Sequence, residues 1–169
     1  ETHILGLFVR SECDELRHHL ATVCERRRDR FRAYVRNLGV TLPAGMVEAV
    51  EAGTVSLGRR HVAGLLLRAG LAKSRYEAFG RFLHPLAGTV PSTHLTPAAD
   101  VVRLIHTAGG VAVLAHPPRT VTEAELTRFR DLGGRAVEVV FPAALVGHTQ
   151  RLRGMCKSVG AVAGLIAVR

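Results

Sequence analysis

Two hydrophobic patterns follow one another in the first half of the 169-residue chain. Residues 3–9 form a short apolar, partly β-branched run, which predicts a buried strand. From residue 11 to residue 83, apolar side chains recur at helical spacing, with stop signals at Gly39 and Gly70. Prolines make residues 84–97 loop-like. We therefore expect one strand followed by an all-helical block.

Strand and helix patterns alternate in the second half. Buried strands are predicted at 111–115, 136–141 and 161–168, and the last helix is predicted at 151–159. This alternation is typical of parallel βαβ units. The fold class is therefore α/β, either the second half of a barrel or a doubly wound sheet, with a helical insert.

Composition indicates a folded protein with an excess of positive charge. Hydrophobic residues make up 47% of the chain and charged residues 22%, and the apolar runs are too short to cross a bilayer. Three cysteines without CxxC spacing favour a reducing cytoplasm over a disulfide framework. The net charge of +9 comes almost entirely from arginine. It is equally consistent with a polyanionic partner and with a general preference for arginine codons.

The clearest candidate site follows the predicted strand 111–115. His116 ends this strand, and Pro117 blocks further ladder pairing. Because ligands of α/β folds bind at the carboxyl ends of parallel strands, His116 can present a ring nitrogen to a metal there. Arg119 can face a phosphate from the same loop. A histidine satisfied by backbone hydrogen bonds explains the position equally well.

Other candidate residues carry weaker signals. His3 stands at the mouth of the first strand, where an imidazole is costly unless it is bonded or ligated. Residues 58–61 (GRRH) enter a predicted helix, so Arg59 and His61 suit an anion, although a solvated basic turn is the alternative. Glu138 lies within a predicted strand, and it either supports a site or points outward at an edge.

Several common enzyme classes are set aside. The chain contains no nucleophile elbow, Walker loop, dinucleotide-binding glycine turn or His-Glu-x-x-His motif. His148 is assigned to a loop and His106 to a helix surface, and neither is given a role. The chain opens on Glu1 rather than on methionine, so we expect the natural protein to start earlier.

Ordered segments across nearly the whole chain resemble the PHP (polymerase and histidinol phosphatase) family. The similarity is strongest to its bacterial branch of 3′,5′-nucleoside bisphosphate phosphatases and 5′-to-3′ exoribonucleases. Residues 103–117 are the most specific part. The matching segments are 1–7 (ETHILGL), 58–63 (GRRHVA), 88–91 (GTVP), 104–117 (LIHTAGGVAVLAHP) and 137–139 (VEV).

The resemblance implies roles for the candidate residues. His3 and His116 resemble metal ligands, so we expect their ring nitrogens within ~8 Å of each other, the reach of one metal cluster. Arg59 and His61 match phosphate-binding positions, and Arg119 is expected to hold substrate with them. The implied cofactors are divalent ions, manganese first, with zinc, iron or magnesium as alternatives. The implied substrates are nucleoside bisphosphates or the 5′ ends of short RNA.

The resemblance also implies an architecture, a partial, distorted (β/α) barrel with an inserted helical subdomain. Residues 1–10 form a barrel strand, residues 11–85 the insert that covers the barrel mouth, and residues 86–169 the C-terminal part of the barrel. We expect a cytoplasmic protein with no membrane partner. The sequence makes no prediction of oligomeric state.

The chain also departs from the family pattern. The family's first His-x-His strand and its Gly-Ser-Asp-x-His motif are absent, and Thr89 and Pro118 replace a usual tyrosine and glycine. Two ligands cannot hold a multinuclear site, so we expect a fragment that is inactive by itself. The alternatives are a non-catalytic nucleotide- or RNA-binding module, in which the arginine-rich run 25–30 grips the ligand, and a degenerate remnant.

Overall fold

A computed structural model describes residues 2–54, 56–90, 96–142 and 144–164. The chain divides into two compact units. The helical unit is His18–Leu95, and the α/β unit is formed by Glu1–Arg17 together with Thr96–Arg169. The predicted boundaries after residues 10 and 85 stay predictions.

Four helical segments supply the helical unit. They are α1 (Asp14–Asn37), α2 (Met46–Ala52), α3 (Arg59–Arg68) and α4 (Arg75–Glu77), which continues into a π-helical segment (Ala78–Leu83). The first four residues of α1 belong to the α/β unit. The predicted stop at Gly39 follows α1, and this glycine adopts a left-handed φ of 66°. Apolar side chains from these segments and from the loops between them form one hydrophobic core, whose largest fully buried members include Phe31, Tyr34, Leu57, Leu65, Leu66 and Leu83.

Strands and helices alternate in the α/β unit. The strands are β1 (Ile4–Leu7), β2 (Val111–Leu114), β3 (Ala136–Glu138) and β4 (Val162–Gly164), and the helices are α5 (Ala98–Thr107), α6 (Glu123–Asp131) and α7 (Val146–Val159). A separate hydrophobic core, which includes Val102, Leu126, Val137 and Leu152, lies between these elements.

The described strands form one mixed sheet in the order β1-β2-β3-β4. Strands β2, β3 and β4 are parallel, as the sequence pattern predicts. Strand β1 runs antiparallel to β2, with Ile4 opposite Leu114. The residue before β1 therefore lies beside the residues that follow β2.

Some local predictions are wrong. Strand β1 is the outermost described strand and Leu5 is 36% exposed, so β1 is not the buried strand that its apolar run predicts. Helix α7 begins at Val146 rather than at residue 151, and His148 therefore lies in a helix and not in a loop. Gly147 conceals this helix start in the sequence, because glycine disfavours helix interiors.

Two strand predictions are longer than the described strands. Strand β3 ends at Glu138, whereas the pattern predicts a strand to residue 141. The end of the predicted strand 161–168 lies outside the described residues. Within the described part of the chain, no helix combines the length and the apolar character that crossing a bilayer requires.

Candidate metal and substrate site

The antiparallel pairing of β1 with β2 brings His3 and His116 together. His3 Nδ1 lies 3.0 Å from His116 Nε2, and the ring centroids are 4.8 Å apart with the ring planes at 85°. The ladder extends to this point because the Ala115 N–H donates to the His3 carbonyl at 2.9 Å. Both side chains are exposed, and their separation lies well within the ~8 Å expected for ligands of one metal cluster.

The backbone at His116 is strained. Its φ of 30° lies in the left-handed region, which costs a non-glycine residue about 1–3 kcal/mol, and contacts with the surroundings must offset this cost. Glu138 is 4% exposed, and its carboxylate accepts a hydrogen bond from the His116 N–H at 2.7 Å. Because Glu138 is buried, it does not point outward at a sheet edge. Its burial favours the alternative hypothesis, in which it supports a site. The carboxylate holds the turn that presents the His116 ring.

Helix α7 holds the loop that follows His116. His148 Nε2 lies 3.0 Å from the Pro117 carbonyl oxygen, which can only accept, so Nε2 carries a proton. The Arg151 guanidinium donates to the Arg119 carbonyl at 2.9 Å and also to the Val121 carbonyl. Sequence reasoning missed both His148 and Arg151, because their partners are backbone oxygens about 30 residues away.

A broad cavity of about 550 Å³ opens beside this loop. Such a volume falls in the usual range for small-molecule sites. Its walls carry two histidines, one arginine and one glutamate, and the remaining lining residues are three prolines and one phenylalanine. The lining residues are His116, Pro117, Pro118, Arg119, Glu138, Phe141, Pro142 and His148. Arg119, which the sequence predicts to hold substrate, therefore belongs to the same cavity as His116.

The histidine pair partly fits the divalent ion that the resemblance implies. Two nitrogens, each about 2.1 Å from one ion, lie about 3.0–3.4 Å apart when the angle at the ion is about 90–109°. The 3.0 Å separation of His3 and His116 matches that geometry and equally matches a hydrogen bond between the rings. Over the described ranges, no group of three or more His, Cys, Asp or Glu side chains is placed to hold a metal.

The other predicted substrate residues lie in the helical unit, at the start of α3. The Gly58 N–H donates to His61 Nδ1 at 3.0 Å, so this nitrogen caps its own helix and Nε2 is left to carry the proton. Burial lowers the pKa of His61, with smaller contributions from the positive charges of Arg60 and Arg27. The Arg59 guanidinium stacks 5.9 Å from the Phe79 ring centroid.

Sequence relatives cover most of this chain. It is 32% identical over 149 residues to the 5′-3′ exoribonuclease Rnm of Salmonella typhimurium. This alignment covers 82% of this chain and 50% of the relative. It is 29% identical over 149 residues to a 3′,5′-nucleoside bisphosphate phosphatase of Chromobacterium violaceum, covering 81% and 51%. The chain resembles the PHP phosphoesterases.

Two solved structures share the fold of this chain. A proposed metal-dependent phosphoesterase from Bifidobacterium adolescentis aligns with a TM-score of 0.75 at 20% identity, covering 95% of this chain and 59% of that one. An amidohydrolase from Chromobacterium violaceum, solved with bound sulfate and no metal, aligns with a TM-score of 0.73 at 23% identity, covering 98% and 62%. These identities show a shared fold alone.

The match to the PHP relatives covers only part of their length. The chain spans about half the length of the curated relatives it matches. No family model matches it. The metal roles of His3 and His116, and the phosphate roles of Arg59, His61 and Arg119, therefore stay predictions.

Proposed function

We propose that this chain forms part of a metal-dependent phosphoesterase that hydrolyses nucleoside bisphosphates or the 5′ ends of short RNA. The observation that carries the proposal is the His3–His116 pair, whose ring nitrogens lie 3.0 Å apart. His116 also lines a cavity of about 550 Å³ together with Arg119. Relatives named as an exoribonuclease and a bisphosphate phosphatase support the choice of substrate class.

His3 and His116 would hold a divalent ion, manganese first, with zinc, iron or magnesium as alternatives. Such an ion polarises a phosphate oxygen and makes bound water more acidic. Glu138 fixes the His116 backbone, and His148 fixes the carbonyl of the next residue. These contacts fix the backbone from which the His116 ring projects.

Substrate phosphates would be bound by three side chains. Arg119 lines the cavity beside His116, and a guanidinium forms paired hydrogen bonds with phosphate oxygens. In the helical unit, Arg59 would contribute charge, and His61 would donate from Nε2 because its Nδ1 already accepts from Gly58. We also propose that the four-stranded sheet is part of a distorted barrel, on the strength of the fold shared with phosphoesterase structures.

The complete site needs more ligands than this histidine pair. Two neutral imidazoles do not offset the charge of two or three cations, so we propose that the chain alone is an inactive fragment and that carboxylate ligands come from elsewhere. Curated relatives of about twice its length are consistent with such a division. A cytoplasmic location is proposed from its three free cysteines.

A non-catalytic nucleotide- or RNA-binding module is the second candidate function. The sequence of the helical unit contains 12 Lys and Arg residues against 5 Asp and Glu, which favours a polyanionic ligand whether or not a metal site is completed.

Calorimetric titration of the chain with Mn²⁺ tests the metal site. We expect weak binding that is lost in His116→Ala and kept in His106→Ala, an exposed histidine on α5 that serves as the matched control. Neither the parent chain nor its variants should release phosphate from a nucleoside 3′,5′-bisphosphate. Binding that survives His116→Ala would remove the ligand role of this residue. Turnover that disappears in His116→Ala would show that the chain holds a complete site.

A further inference from the structure

Net positive charge is concentrated in one of the two units, because acidic residues are fewer there. The helical unit's sequence has a net charge of +7, from 12 basic and 5 acidic residues. The α/β unit's sequence has a net charge of +2, from 11 basic and 9 acidic residues. A preference for arginine codons acts along the whole chain and does not explain this asymmetry. The excess charge therefore needs a local explanation.

Ion pairs neutralise only some of the arginines in the helical unit. Arg32 pairs with Glu51 at 2.6 Å, and Arg81 contacts Glu77 at 3.6 Å. In the part of the chain that the structure describes, neither Arg27 nor Arg60 forms an ion pair. Both side chains are exposed and available to a ligand.

Arg27 is directed towards the start of α3. It lies on the stripe of α1 that also carries Phe31 and Tyr34, both 1% exposed, because residues four and seven apart share a helix face. Arg27 Nη1 donates to Ser56 Oγ at 2.9 Å, two residues before Gly58. Its charge also contributes to the lowered pKa of His61. Arg27 from one helix and Arg60 from another therefore flank the same turn.

An exposed aromatic ring lies in the helical segment that supplies a contact to Arg59. Tyr76 is 91% exposed, although tyrosine usually buries most of its ring. It lies in α4, three residues before Phe79 in the π-helical segment that continues it. The Phe79 ring in turn contacts the Arg59 guanidinium, at 5.9 Å. Cationic side chains beside an exposed ring are the combination that binds single-stranded nucleic acid, by phosphate contacts and base stacking.

We propose that Arg27, Arg60 and Tyr76 form a subsite for a single RNA strand, next to the phosphate position at Arg59 and His61. Arg27 and Arg60 contact a second phosphate, and the Tyr76 ring stacks on an unpaired base. The subsite makes an RNA of several nucleotides a tighter ligand than a mononucleotide. This inference rests on the proposed function only for the neighbouring phosphate position, because the subsite itself involves no metal.

Binding of a fluorescent, 5′-phosphorylated RNA decamer to the whole chain, in EDTA and over a series of salt concentrations, tests the subsite. The double variant Arg27→Gln/Arg60→Gln should bind more weakly, and the slope of log K against log salt should fall in magnitude by about 0.7, since each neutralised phosphate of a single strand contributes about 0.7. Tyr76→Leu should weaken binding about 5- to 160-fold through lost stacking and leave the slope unchanged.

The matched control is Arg36→Gln/Arg68→Gln. It removes the same charge from the same two helices, about 13 Å and 12 Å further along them, beyond the screening length of about 10 Å at 0.1 M salt. This control should keep the parent slope. Equal losses of RNA affinity in both double variants would show that only the total charge of the unit matters, and would overturn the subsite. Absence of RNA binding by the parent chain would overturn it as well.

The same experiment separates this inference from the proposed catalytic function. EDTA removes divalent ions, so the result does not depend on His3 or His116. Specific RNA binding in a chain whose Mn²⁺ binding survives His116→Ala would leave the subsite standing and remove the metal-site proposal. Equal losses of RNA binding in both double variants, with Mn²⁺ binding abolished by His116→Ala, would remove the subsite and leave the metal-site proposal standing.

Discussion

The two units place their polar side chains in opposite ways. In the α/β unit, the side chains around His116 are held by hydrogen bonds to backbone groups. In the helical unit, the arginines around α3 are exposed, and their charges are only partly paired. Coordination of a metal requires fixed directions, whereas attraction of a polyanion requires charge at the surface. The difference matches the proposed roles, a metal position in the α/β unit and a polyanion-binding surface in the helical unit.

Buried polar side chains make the contrast sharper. Apart from the Tyr34 hydroxyl of the helical unit, the buried polar or charged side chains among the described residues are Glu138 and His148, both in the α/β unit. Each bonds to the backbone of the His116–Pro117 turn, at 2.7 Å and 3.0 Å. Burying such groups is costly unless they are hydrogen-bonded, so their convergence on one turn marks that turn as a part of the fold with a fixed geometry.

Glycine substitutions should separate the two units most strongly. A Cβ at Gly110 would lie 2.5 Å from Val9 Cγ1 and 2.7 Å from the Leu7 carbonyl oxygen, so Gly110→Ala should destabilise the α/β unit by about 3 kcal/mol. A Cβ at Gly64, inside α3, meets only Arg68 Nη1 at 3.5 Å. Gly64→Ala should therefore stabilise the helical unit by about 0.5–1 kcal/mol.

Urea unfolding with two signals measures both effects. The chain has no tryptophan, and its two tyrosines, Tyr34 and Tyr76, lie in the helical unit, so tyrosine fluorescence follows that unit while circular dichroism follows both. Gly64→Ala should raise the fluorescence midpoint. Gly110→Ala should lower the midpoint of the dichroism transition. An unchanged dichroism transition in Gly110→Ala would contradict the close packing of β1 and β2 at this position.

Sequence patterns located most elements because periodicity and caps are local. Ser74, a residue type that favours helix starts, accepts from the Glu77 N–H at 3.1 Å. Thr122 exchanges hydrogen bonds with Glu125, and the Thr122 N–H lowers the pKa of Glu125. The parallel pairing of β2, β3 and β4 also followed from the alternation of strands and helices. The nearness of His3 and His116 was predicted from family resemblance, since no local pattern joins residues 113 positions apart.

The supports of the candidate site could not be predicted in this way. His148 and Arg151 bond to backbone oxygens of a loop, and a backbone oxygen has no sequence signature. The left-handed φ of 30° at His116 has none either, because asparagine or glycine would be the expected residue there. The antiparallel direction of β1 depends on the helical unit that intervenes, whose path the hydrophobic pattern does not specify.

Replacing Glu138 tests whether the His116 turn depends on a buried acceptor. Glu138→Ala leaves the His116 N–H without its partner and should cost about 1–2 kcal/mol, with faster hydrogen exchange at that amide. Glu138→Gln keeps a carbonyl oxygen in place and should preserve most of the amide protection. Amide exchange measured by NMR reports the turn itself, whereas unfolding reports general stability. Equal exchange rates in the two variants would show that another group holds His116.

The smallest expected effect is a pH dependence that belongs to the helical unit. Burial, with the charges of Arg60 and Arg27, lowers the pKa of His61 below its ordinary value, so the folded state binds a proton less readily than the unfolded chain. Stability from this source is full above the ordinary value of about 6.5 and is lost as pH falls through the lower folded pKa. His61→Gln keeps an acceptor for the Gly58 N–H but does not titrate. Between pH 7.5 and pH 5.5, the parent chain should therefore lose stability relative to His61→Gln in tyrosine-detected unfolding.

Arg27→Gln should move the NMR titration midpoint of His61 upward, whereas Arg36→Gln, on the same helix, should not. A midpoint at or above the ordinary value in the parent chain would contradict the burial of His61 and the approach of Arg27 to it.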